Sequence, residues 1–325
     1  MSKPLFDDAA GHYNYCPAVL HHEGVTHLWY CANEKAYEIV DSIMYRHEKK
    51  HFSSPEVALR PDDDITAWDG VHVCDPSVIK GIFNDGETVY HYAMAYLGCN
   101  TLDCTNNEIG LAFAKTPAGP WIKWSQNPLV TFDLKGFKRY WGVGQPSLIN
   151  LNRQSKLGLF YTRGDGLGSH QWFLMFDAKN IYQMKEMTHH PISHKGLWRL
   201  DGLPDALINV DAAFDPVCDV LWVVRDKCGD DGLYPSIIRQ AVEVSWIPFS
   251  DLKRGTWQKE AVIDHALTHF VRNHNAALKR DAYGHLLDRH DAMDVYYTTS
   301  IHAKSNEDLQ YLWRYRIHRH RIRLK

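Results

Sequence analysis

Apolar residues in this chain fall in short runs that alternate with polar or small residues, and turn formers interrupt the runs at close intervals. A period of two sends successive side chains to opposite faces of a strand. No window of about a dozen residues keeps the 3.6-residue period of an amphipathic helix. The pattern therefore predicts many short strands. One unit shows it plainly: Asp75-Pro76-Ser77-Val78-Ile79 opens a strand, Asn84-Asp85-Gly86 turns the chain, and Glu87 to Tyr96 returns as a second strand.

The same unit recurs. A small or polar residue followed by Pro or Ala, then Ser or Ala, then two mostly apolar residues begins at Cys16, Asp75, Gln145, Asp211 and Asn275. The spacings of 59, 70, 66 and 64 residues divide a chain of 325 into five nearly equal parts. After each head come a second run (VTHLWYCA, ETVYHYAMAY, KLGLFYTRG, DVLWVVRD, MDVYYTTS), a third run and, in four of the five, an edge-like piece. Three or four short strands repeated five times predict an all-β, five-bladed β-propeller as a single domain over 1–325, since radial repetition leaves only short edges. The fifth unit runs out of chain after its third strand, so the segment before Cys16 is expected to complete that blade.

Propeller geometry turns the repeat into a map. First strands line a central channel, so the five heads share one face with the ends of the second strands and the starts of the third. That face gathers Asp75, Asp211, Gln145 and Asn275, the pairs Arg163/Asp165 and Arg225/Asp226, and Glu108. Carboxylates, amides and arginines converging on one cavity suit a polar ligand. The competing readings are local. Asp75 would cap backbone amides in an Asp-Pro turn, and Arg163 and Arg225 would pair with Asp165 and Asp226.

Residues 74–121 carry a resemblance. The head Asp75-Pro76-Ser77-Val78-Ile79, the strand Ile109-Gly110-Leu111-Ala112 and the segment Thr116-Pro117-Ala118-Gly119-Pro120-Trp121 are similar to motifs of the five-bladed propeller glycosidases. These are the arabinanase/β-xylosidase group and its relatives, including the neoagarooligosaccharide hydrolases. The resemblance implies hydrolysis of a glycosidic bond in a small oligosaccharide or glycan end, usually with inversion, by two acidic groups far enough apart to admit a water. It makes Asp75 the general base and Asp211 the second carboxylate. The general acid is either His274, as in the neoagarooligosaccharide branch, or Glu108, because the later heads lack the arabinanase glutamate. Arg163, Asp165, Arg225, Gln145 and Asn275 would bind substrate, and Trp68, His72 and Trp141 would wall the pocket or stack on a sugar. Two rival functions stay open on this fold: a glycoside phosphorylase or transferase using the arginines, and a propeller that binds a glycan without turnover.

Composition narrows the partners. A net charge of −3 argues against a nucleic-acid backbone, and the basic end RIHRHRIRLK is expected to be an outer strand with solvated charges. No run of apolar residues is long enough for a spanning helix, and the N-terminus lacks an apolar signal core, so a cytoplasmic protein without membrane association is expected. Seven cysteines without CxxC spacing read as free thiols, with no metal site. No cofactor is expected, although the resemblance allows a calcium ion in the channel.

Overall fold

The computed structural model describes residues 3–6, 9–134, 140–186, 189–229, 238–287, 292–305 and 308–324. They form five antiparallel sheets arranged as a ring, a five-bladed β-propeller. Blade I contains the strands Asn14–His22, Val25–Ala32, Ser42–Glu48 and Glu56–Leu59. Blade II contains His72–Asn84, Val89–Cys99, Glu108–Ala114 and Ile122–Lys123. Blade III is built on Gly142–Asn150, Lys156–Asp165 and Gly168–Asp177, blade IV on Asp211–Asp215, Val220–Lys227, Ala241–Pro248 and Gln258–Ile263. Blade V has three strands, Arg272–Leu278, Ala292–Ser300 and Arg316–Arg323.

The alternation seen in the sequence sorts side chains between neighbouring blades. On the second blade, Val78 and Met94 face blade I beside Trp29 and Tyr45. Their neighbours Ile79, Ala93 and Ala95 face blade III beside Leu159 and Leu174. Blade IV does the same, with Leu221 and Val223 packing on Phe160 and Phe173 and Val224 and Val244 on Val295 and Tyr297. Val19 and Leu28 then meet Tyr296 and Ile317, which closes the ring by apolar burial between the last blade and the first. Central strands read as continuous apolar runs because both faces are covered: all seven residues of Glu108–Ala114 are buried.

A 3-10 helix at 309–314 precedes the last strand, which begins at Arg316. The edge of blade III is made by two-residue pieces at 185–186 and 190–191. The segment before Cys16 reaches the outer strand of blade V through a backbone hydrogen bond from Leu5 to Ile317, and among the described residues it adds no fourth strand to that blade, contrary to expectation. Among the described residues no helix is long and apolar enough to cross a membrane.

One side chain ties the ring together from inside. Arg280 follows blade V, pairs in parallel with the first strand of blade I, and is fully buried. Its guanidinium donates to the carbonyls of Leu148 (3.0 Å) and Ala212 (2.8 Å), lies 3.4 Å from the hydroxyls of Ser77 and Ser147, and pairs with Asp211 at 3.1 Å. Blades II, III and IV thus meet a residue carried by the junction of V and I.

Candidate functional site

Each blade begins with the same backbone device. Cys16, Asp75, Gln145, Asn209 and Asn275 hold φ of 48°, 47°, 51°, 49° and 44°, the left-handed region that non-glycine residues enter at a cost. In blades I, II, III and V the strand register slips at these residues, the mark of a bulge. A bulge bends the strand and re-aims the side chain, here into the channel. The five heads and the residues that follow them line a shallow depression of about 40 Å³ at one end of the channel, well below the usual size of a ligand cavity.

This geometry moves the fourth head. Asn209, not Asp211, is equivalent to Asp75, and Asp211 occupies the position of Ser77 and Ser147 one step deeper. The Asp211 carboxylate accepts from Ser147 Oγ (2.8 Å) and the Leu278 amide (2.9 Å) and pairs with Arg280. Burial pushes its pKa up, opposed chiefly by that guanidinium. Its side chain is committed to holding the ring.

Asp75 sits in the depression with part of its surface open. Its own amide N–H points at the Cys31 sulfur, 3.0 Å away. Burial raises its carboxyl to about 6; contact with Cys16 opposes the shift, the nearby Asp41 charge adds to it, and the Gln145 amide opposes it. Across the ring, where blades IV and V meet, stands Asp226, which is fully buried. Its Oδ2 accepts from the Asn209 side chain at 2.5 Å and its Oδ1 from the Asn275 amide at 2.8 Å. Burial raises this carboxyl to about 7 against those two hydrogen bonds. Asp226 thus braces two heads and titrates near neutrality. The Gln145 side chain accepts from the Asn209 amide at 2.9 Å, linking blades III and IV.

The remaining residues expected at the site divide. Gln145 and Asn275 line the depression. Trp141 packs beside it against Cys16, Leu97 and Tyr15, in space left by Gly144 and Gly164. Trp68 does not line it: its ring covers Tyr96 at 5.6 Å and fills the room above Gly98 and Gly110. His72 is buried against Asp41, Nδ1 to Oδ2 2.9 Å. Arg163 pairs with Asp133 (2.8 Å) and Asp165 (2.9 Å). Arg225 is fully buried and bonded to Asp205 and Glu243 at 2.7 and 2.9 Å, meeting only the backbone oxygen of Asp226. Each of the two arginines is paired with two carboxylates within the protein.

Neither expected acid lines the depression. Glu108 is buried and accepts from the Phe132 amide at 3.1 Å, away from the depression. His274 is 2% exposed, its Nδ1 in contact with the Asn275 amide oxygen and its ring 4.9 Å from Tyr315. Burial lowers it to about 3, so at neutral pH the ring carries no proton to donate as a cation. Its neighbour Asn275 points into the depression, and His274 points behind it.

Cysteine pairing departs from the sequence expectation. Cys31, ending the second strand of blade I, and Cys74, beside Asp75, form a disulfide across the two blades, with Cα atoms 5.2 Å apart. A calcium ion in the channel would want six or more oxygens; Asn275 Oδ1, Gln145 Oε1 and both Asp211 and Asp226 oxygens are engaged as described, and Asp75 is the carboxylate left facing the depression.

The sequence matches no family model and no curated protein. Solved structures do match over nearly the whole chain. A family 117 glycoside hydrolase from the marine bacterium Zobellia galactanivorans superposes with a TM-score of 0.62 at 14% identity, covering 99% of this chain and 88% of its own. The endo-arabinase of Bacteroides thetaiotaomicron gives 0.59 at 14%, covering 96% and 95%. The GH43_1 enzyme of Xanthomonas citri, solved with xylotriose, gives 0.61 at 9%, covering 99% and 90%. This chain shares their fold. At these identities the likeness concerns architecture, and chemistry has to be argued from the residues.

Proposed function

We propose that this propeller is a glycoside hydrolase acting on a small oligosaccharide or the end of a glycan, by inversion, with Asp75 as general base. The observation that carries the reading is Asp75 itself: a carboxyl of pKa about 6 at the floor of the depression where the five heads meet. A base that titrates just below neutral pH is largely ionised at pH 7 yet strong enough to draw a proton from water. The likeness to glycan-cleaving propellers supports the substrate class.

Asp226 takes the acid role that neither His274 nor Glu108 fills. With a pKa of about 7 it is about half protonated at neutral pH; it lies on the far side of the ring from Asp75, fully buried behind the Asn209 and Asn275 heads and not itself lining the depression. To deliver its proton, Asp226 must exchange the Asn209 amide for the leaving-group oxygen at Oδ2. Asp211 is a positioning residue, acting through Arg280. Phosphorolysis is disfavoured, because each arginine it would use is paired with two carboxylates. The Cys31–Cys74 bridge favours an oxidising compartment over the cytoplasm.

Aryl glycosides of pentoses and hexoses, assayed with and without phosphate, test the reading. Phosphate-independent release of the phenol, abolished by Asp75→Asn, is expected. Binding of oligosaccharides without turnover of any of them would leave a glycan-binding propeller instead.

A further inference from the structure

Behind the head of blade II lies a second cluster that the proposed reaction does not use. The register of the first two strands sets His72 directly opposite Cys99, and the loop that follows brings Cys104 back to both, with φ of 50° at Cys104 and 56° at Asn106. One imidazole nitrogen of His72 and the Sγ atoms of Cys99 and Cys104 lie within 4.8 Å of one another. None of the three lines the depression, and neither cysteine belongs to the disulfide.

The histidine shows which nitrogen is offered. Asp41 places Oδ2 2.9 Å from His72 Nδ1 and takes the Tyr13 hydroxyl at 2.7 Å on its other oxygen. The Asp41 backbone N–H also lies 3.2 Å from Nδ1, but the carboxylate stands closer and can only accept, which assigns the hydrogen to Nδ1 and the lone pair to Nε2. His72 is fully buried, and Nε2 has no hydrogen-bond partner. An imidazole oriented by a carboxylate on one nitrogen and bare on the other is the arrangement by which proteins fix a metal-ligating histidine.

We propose that His72 Nε2 and the thiolates of Cys99 and Cys104 form a zinc site, with Asp41 as the orienting carboxylate and the fourth position open to water. Two sulfurs and one imidazole select a borderline-soft ion over calcium or magnesium. Tetrahedral zinc with Zn–S of about 2.3 Å needs the sulfurs roughly 3.8 Å apart, and atoms already within 4.8 Å of one another reach that by a shift of about an ångström or less. Binding releases the two thiol protons to solvent and changes no oxidation state. The site joins the ends of two blade II strands to Asp41 of blade I, so its contribution is to the fold at the mouth of the channel.

The test uses the full chain produced in zinc-supplemented medium and purified without reductant, so that the Cys31–Cys74 bridge stays closed. Zinc content by mass spectrometry and the thiolate-to-cobalt absorption after exchange with Co²⁺ are read for the wild type, Cys104→Ser and Cys99→Ser/Cys104→Ser. Expected are stoichiometric zinc and an intense thiolate band in the wild type, both lost in the double variant, with a melting temperature that falls when the wild type is treated with chelator. Zinc retained by the double variant overturns the site. So does wild-type protein that takes up neither ion, and so does a Cys99–Cys104 disulfide found by peptide mapping. The milder Cys104→Ser keeps the test open if the double variant fails to fold, because a folded single variant with undiminished affinity also refutes it.

Discussion

Exchanging Asp75 for asparagine should abolish turnover and at the same time stabilise the fold, in a pH-dependent way. The carboxyl is raised to about 6 in the folded protein, against about 3.9 in an unfolded chain, a difference of roughly two units or about 3 kcal/mol at about 1.4 kcal/mol per unit. A raised folded-state pKa means that the ionised form is disfavoured by folding. Its penalty is absent below about pH 4, where both states hold the proton, and complete once the pH has risen past the folded value of about 6. Asparagine accepts the left-handed backbone as readily as aspartate, so Asp75→Asn keeps the head and removes the penalty. Urea unfolding should therefore show the variant about equal to wild type at pH 4 and more stable by about 2–3 kcal/mol at pH 8, the upper figure being the full linkage value. Activity should drop by about 10²–10⁴, the usual loss for a general base. A variant whose stability relative to wild type is the same at both pH values would show that Asp75 is not held near neutrality by burial, and the base assignment would lose its physical footing.

Activity should follow a bell in pH, with an acid limb near 6 from Asp75 and an alkaline limb near 7 from Asp226; a profile flat from pH 5 to 8 argues against the pair. Asp226→Asn should lose far more activity on unactivated glycosides than on dinitrophenyl glycosides, whose leaving groups need no acid, and an equal loss on both would make Asp226 a brace only. His274→Gln should retain activity within about tenfold, since loss of a true acid costs about 10²–10⁴; a larger loss with activated substrates spared would restore the histidine. Arg280→Met should destabilise by about 3–5 kcal/mol by stranding Asp211, and adding Asp211→Asn should recover part of that in denaturant midpoints; strictly additive effects would mean the two do not interact.

Much of the fold was legible because a propeller repeats its grammar. Period-two runs between turns gave the strands, and proline after Cys16, Asp75 and Gln145 marked three heads. Blade IV was misread by two residues because Asp211-Ala212-Ala213 looks like Asn275-Ala276-Ala277. The overlooked cue was Asn209, a residue type that tolerates a left-handed backbone. The sequence does not show that Asn275 and not His274 lines the depression, because a bulge decides which of two adjacent residues faces the channel, and a bulge leaves no trace in composition. Asp226 appeared only as a neighbour of Arg225, since its partners, Asn209 and Asn275, lie 17 and 49 residues away. The pairing of Arg163 with Asp165 is local and was readable, whereas the partners Asp133, Asp205 and Glu243 come from separate segments and leave no local signal.

The residue that ties the ring lies late in the chain. Arg280 reaches Ser77 across 203 positions and Leu148 across 132. During synthesis the first four blades leave the ribosome with the Asp211 carboxylate lacking its cation and the channel without its pin. The ring becomes a closed object only when Arg280 and the last two strands of blade V, Ala292–Ser300 and Arg316–Arg323, have emerged. A nascent chain halted before that point is a string of sheets open to proteases and chaperones, and one released after it is a single cooperative body.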